Sequence, residues 1–113
     1  MFAISNTTIY KLSEVVMQFL LIARVVEGVS MEQVLPHVKA EAQAVWEKYT
    51  AEIVRSIHYI ADMSGAVLIC EAANLETMQE IASQFPMVKA GVLKMEVLPL
   101  KPYAGLESLF AKL

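Results

Sequence analysis

The alternation of apolar and polar positions divides the chain into six elements. Residues 17–26 place Phe19, Leu21, Ala23 and Val25 on one side and Gln18, Leu20, Ile22 and Arg24 on the other. Both sides are largely apolar, the mark of a central strand covered on both faces. Glu27 and Gly28 end it. Ser30 followed by Gln33 has capping-box spacing and opens a helix that runs to about residue 52. On that helix Met31, Val34, Leu35, Ala42, Val45, Trp46 and Tyr49 fall in one stripe about 120° wide. Pro36 lacks a backbone donor and predicts a kink within the first two turns. Residues 53–61 and 66–73 are rich in β-branched and aromatic side chains and read as a hairpin around 62–65, with Gly65 free to take a positive φ. Asn74 caps a second helix over 75–85, whose apolar face is Leu75, Met78, Ile81, Ala82 and Phe85, and Pro86 stops it. A last strand, 92–100, is closed by Pro99 and Pro102. Residues 105–113 form an amphipathic tail with Leu106, Leu109, Phe110 and Leu113 on one side.

The order β-α-β-β-α-β is the α+β, ferredoxin-like pattern. Two helices cover one face of a four-stranded sheet. The other face then carries Leu20, Ile22, Val67 and Ile69, which need a cover of their own. A second copy of the chain, sheet against sheet, is the simplest one, and the expectation is a homodimer in which two sheets form one barrel. The chain divides into an N-terminal extension (1–16), the ferredoxin-like domain (17–102) and the C-terminal tail (103–113). Met17 sits where a natural start would fall; the other reading of 1–16 is a real extension that packs on a neighbour.

Composition sharpens this picture. Apolar residues make up 57% of the 113 positions and the mean hydropathy is +0.50, more apolar surface than one small protomer readily hides. No apolar run reaches the ~18 residues of a spanning helix. The net charge of −3, with no basic stripe, argues against nucleic acid or a membrane surface as partner. One cysteine, Cys70, leaves no intrachain disulfide and fits a reducing, cytoplasmic setting. No signal-peptide start, zinc-type Cys/His cluster, glycine-rich phosphate loop or Ser-His-Asp spacing is present.

Few residues offer chemistry. By alternation the sheet face away from the helices bears Gln18, Arg24, Glu71, Lys94 and Glu96, joined by His58 or Arg55 according to the register of the second strand. These are either ion pairs and rim residues of a dimer, with Glu71 paired to Lys94 or Arg24, or the few placed polar groups of a small-molecule cavity. His58 has the right intrinsic pKa for proton transfer, against a plain structural role. Glu41, at the edge of the helix stripe, is either a solvated carboxylate or a base raised by desolvation between helix and sheet. Trp46, Tyr49 and Tyr59 are core, or walls for a planar ring. His37 reads as surface, and Cys70 as a small buried residue.

Val38-Lys-Ala-Glu-Ala-Gln-Ala44, Phe85-Pro-Met87 and Val97-Leu-Pro-Leu100 resemble segments of the muconolactone isomerase family, and Arg55 lies near that family's Trp-Arg pair. The resemblance spans about residues 17–102. It implies a dimeric α+β barrel, often assembled further into larger rings as a higher homo-oligomer, that moves a proton within a small unsaturated lactone without a cofactor or metal. On this reading His58 or Glu41 is the base, Arg55 holds a carboxylate or polarised carbonyl, and Trp46, Tyr49 and Tyr59 form the walls; Glu71, Lys94 and Arg24 make an alternative site on the sheet face. The chain departs from the family at Val54, which stands in place of the Trp, in a longer hairpin, and in lacking the Trp-Pro before it. The competing functions are a non-catalytic module that binds a small hydrophobic ligand or a protein, and a purely structural oligomer.

Overall fold

A computed structural model describes residues 16–111. Residues 1–15, nearly all of the expected extension, and residues 112–113 lie outside it. Strand β1 (Met17–Val25) is followed by a short helix α1 (Met31–Val34), a 3₁₀ turn (Leu35–His37) and helix α2 (Val38–Thr50). Strands β2 (Val54–Tyr59) and β3 (Gly65–Ala72) form the hairpin. Helices α3 (Leu75–Ser83) and α4 (Pro86–Lys89), strand β4 (Leu93–Leu100) and a terminal 3₁₀ segment (Ala104–Leu109) complete the chain. The sheet is antiparallel in the order β2-β3-β1-β4, the ferredoxin-like topology.

Local chemistry explains the joints. Gln33 Oε1 accepts the backbone N–H of Ser30 at 2.8 Å, one half of the expected capping box. Pro36 sits in the 3₁₀ turn, where its missing donor costs little, so the long helix is interrupted rather than ended. Asn74 Oδ1 accepts from the N–H of Thr77 at 2.8 Å and starts α3. Pro86 does more than stop α3: with Phe85 extended before it, it opens α4 at the position where proline is best tolerated.

Register assigns the faces. Phe19 lies opposite Cys70 and Leu21 opposite Leu68. These four, with Val54, Met78 and Ala82, form the buried core between sheet and helices. Cys70 therefore faces the helices, as alternation predicts. The opposite face carries cross-strand rows. Leu98, Leu20, Ile69 and Ser56 make one; Glu96, Ile22, Val67 and His58 make the next. Its apolar centre is only half-buried, so the uncovered face expected from the pattern is present. A bulge between Val54 and Ser56 interrupts the β2–β3 ladder. Pro99 lies on β4, an edge strand, where the ladder loses little from a missing N–H.

The hairpin turn differs from expectation in one respect. The left-handed residue is Met63, with φ 64°, not Gly65. Asp62 Oδ1 accepts the Ser64 N–H at 2.9 Å and shapes the turn. Gly65 is needed for another reason: a Cβ there would run into the backbone carbonyl of Ala23 on β1. We expect Gly65→Ala to push the strands apart and lower stability by about 1–3 kcal/mol, read as a shifted urea midpoint with an unchanged slope.

Candidate functional site

The two candidate bases are held on opposite sides of the sheet. His58 pairs with Val67 across β2–β3 and so belongs to the open face. The bulge decides this. It consumes one residue at Arg55 and sets the parity of everything after it. Arg55 itself is turned aside, with its Nη1 3.3 Å from Glu52 Oε2 in an exposed pair of the kind that adds little to stability.

Glu41 lies in the helix layer. Its Oε1 accepts the backbone N–H of Met87 at 2.8 Å, a bond across 46 positions of sequence. Met87 is in the first turn of α4, so Glu41 caps that helix from outside its own segment and ties α2 to it. Half-burial raises the carboxyl above its ordinary value of 4.5, and the Met87 hydrogen bond and the charge of His37 pull it back. The direction is that of a desolvated base, but the sheet stands between Glu41 and His58, and the two do not meet at one substrate within a protomer.

The aromatic candidates do not enclose a space. Trp46 and Tyr49 stack with ring centroids 5.8 Å apart, yet Trp46 is 62% and Tyr49 50% exposed. Tyr59, opposite Ala66, is on the helix side of β2 and is also largely exposed. On the open face Arg24 lies directly across from Lys94, whereas Glu71 is opposite Gln18 near the other end of β1. Six residues of strand, roughly 20 Å, separate Glu71 from the two cations, so the pairing expected among these three does not form within one chain. Arg24 and Lys94 have no carboxylate within ion-pair distance among the described residues.

An open groove of about 460 Å³ occupies the Glu71 end of this face, lined by Val16, Met17, Gln18, Glu71, Leu100, Lys101 and Pro102. Leu100, Lys101 and Pro102 were not among the sequence candidates. The register that sets Leu100 against Gln18 brings them in, and the alternation along β4 offers no sign of it. Ser56 joins the open face through the same bulge that delivers His58. Burial pushes the Cys70 thiol up to about 12, which leaves it protonated and unreactive at neutral pH. Among the described residues, no three His, Cys, Asp or Glu side chains cluster as a metal site, and no helix is long and apolar enough to cross a membrane.

No protein-family model matches the chain, and no curated protein matches it. Among solved structures, the solution structure of a hypothetical Arabidopsis thaliana protein is similar, at 22% identity over 76% of this chain and 87% of that one, with a TM-score of 0.42. The ferredoxin-like assignment stands on strand order and register.

Glu41 yields a direct prediction. Because its folded pKa is raised, the stability it contributes is fully present below about pH 4.5 and is lost as pH rises through the folded value. Glu41→Gln keeps an acceptor for Met87 and removes the charge, so its unfolding free energy should lack that decline. Glu41→Ala, which leaves the Met87 N–H without a partner, should cost about 1–2 kcal/mol below pH 4.5 and less as pH rises through the folded value.

Proposed function

We propose that the protein works as a dimeric α+β barrel, two copies meeting through their open sheet faces, and that the interior so formed takes a small, mainly apolar molecule. One observation carries this reading: the open face has a half-buried apolar centre of Leu20, Ile22, Val67 and Ile69 with isolated polar groups set around it. A face of this kind left bare in water forgoes the burial that a second sheet would supply, at about 25 cal/mol for each Å² covered. Sheets pack about 10 Å apart, which leaves room for a ligand only where small or polar side chains interrupt the interdigitation.

The finer reading is an isomerase-like, cofactor-independent proton shift on a small cyclic carbonyl compound, in keeping with the resemblance to muconolactone isomerases. It is favoured by the position of His58 on the interior face, in the row that holds Ile22 and Val67. His58 would be the base. Arg24 and Lys94, side by side across β1 and β4, would hold a carboxylate or a developing oxyanion. Glu41, committed to Met87, has no place in this chemistry. Arg55, Trp46, Tyr49 and Tyr59 lie away from the face. The competing reading keeps the barrel and the ligand without turnover.

Light scattering separates these. Wild type should be an oligomer at micromolar concentration, and Leu20→Glu, which puts a charge at the centre of the face, should reduce its mass; a wild-type monomer would sink the barrel. An absorbance assay with muconolactone should then show turnover that falls at least about 100-fold in His58→Ala if His58 is the base. A folded oligomer that binds but does not turn over any such lactone supports the binding module instead.

A further inference from the structure

The first helical segment carries its apolar stripe on the outside. Met31 is 64% and Leu35 59% exposed, and Val38, Trp46 and Tyr49 are exposed with them. Along the segment the half-buried positions that contact the domain are instead His37 of the 3₁₀ turn and Glu41, Ala44 and Lys48 of α2, with Val45 half-buried at the boundary between the two sides. At 100° per residue the two sets are centred about 100° apart. Not one residue of α2 is fully buried. The stripe expected from the sequence is thus present, but its own sheet does not cover it.

We propose that a second copy of this chain covers it, with the two helical segments packed antiparallel about a twofold axis near Ala40. The spacing supports this occupant. Met31, Leu35, Val38, Ala42, Val45 and Tyr49 are separated by four, three, four, three and four residues, the alternation of a helix–helix seam. That series reads the same in both directions. An antiparallel twofold therefore places Met31 on Tyr49, Leu35 on Val45 and Val38 on Ala42, which meets the isologous requirement that one patch match itself.

The area is also sufficient. The exposed parts of Met31, Leu35, Val38, Trp46 and Tyr49 come to roughly 500 Å², at the upper end for a monomer surface. Ile57, Tyr59 and Met63 are exposed on or beside β2, the strand along which α2 packs. With them the patch approaches the ~800 Å² per partner of a stable interface. This contact uses the opposite side of the molecule from the open sheet face and does not depend on it. If both form and their twofold axes meet at right angles, the assembly closes as a tetramer.

Trp46 is the only tryptophan in the chain and reports on the proposal directly. In the full-length protein its emission should be blue-shifted at micromolar concentration and move to the red on dilution. Leu35→Arg and, separately, Met31→Lys should give folded protein by circular dichroism, red-shifted Trp46 and half the wild-type mass by light scattering. Leu20→Glu, on the other face, should leave Trp46 blue-shifted. An unchanged mass in both helix variants overturns the proposal, as does a wild-type Trp46 that is solvent-exposed at all concentrations. Deletion of residues 1–15 is the remaining arm: red-shifted Trp46 at unchanged mass would show that the chain's own N-terminal segment covers the stripe, and would also overturn it.

Discussion

Everything in this molecule is arranged around a central strand that is apolar on both sides. β1 is bonded to β3 on one edge and β4 on the other, so its backbone is satisfied and only its faces remain to be covered. Phe19 and Leu21 are fully buried under the helices. Leu20 and Ile22, one residue out of phase, gain no such cover from the same chain. Burial of a Phe or Leu side chain is worth about 1.5–3 kcal/mol, which fixes the helix layer on one side and leaves an uncovered apolar surface on the other. The hairpin, the two helices and the edge strands all follow from satisfying one side of this strand.

Periodicity made most of that legible. The element order, the two-sided β1, the helix-facing Cys70 and the membership of Val67 and Ile69 in the open face all follow from period-2 alternation within strands of normal length. What escaped was set by single-residue events. His58 is on the open face because of a bulge at Arg55, and nothing in the composition of residues 53–59 announces it. The value of Gly65 lies in the closeness of the Ala23 carbonyl, a contact between residues 42 apart, rather than in local turn conformation. Glu41 stood out for its angle on the helix, but its partner is a backbone amide that no side-chain pattern can reveal.

The stripe on the first helical segment shows a different limit. Its spacing was plain, yet spacing identifies an apolar side without saying what covers it. A sequence records that a face is apolar, whereas one chain shows only the cover it supplies itself. The same holds for Glu71, held at the far end of β1 from Arg24 and Lys94, which would come within reach of such cations only if another sheet lay across it.

The two edges of the sheet bear on how such apolar faces coexist with solubility. An exposed edge strand invites another chain to add to the ladder and begin a fibril. Here β2 is broken by its bulge and β4 carries a proline in its last turn of pleat. Neither edge offers an unbroken row of donors and acceptors to an incoming strand. That discourages cross-β stacking between copies and leaves contacts through side chains as the route by which copies could meet.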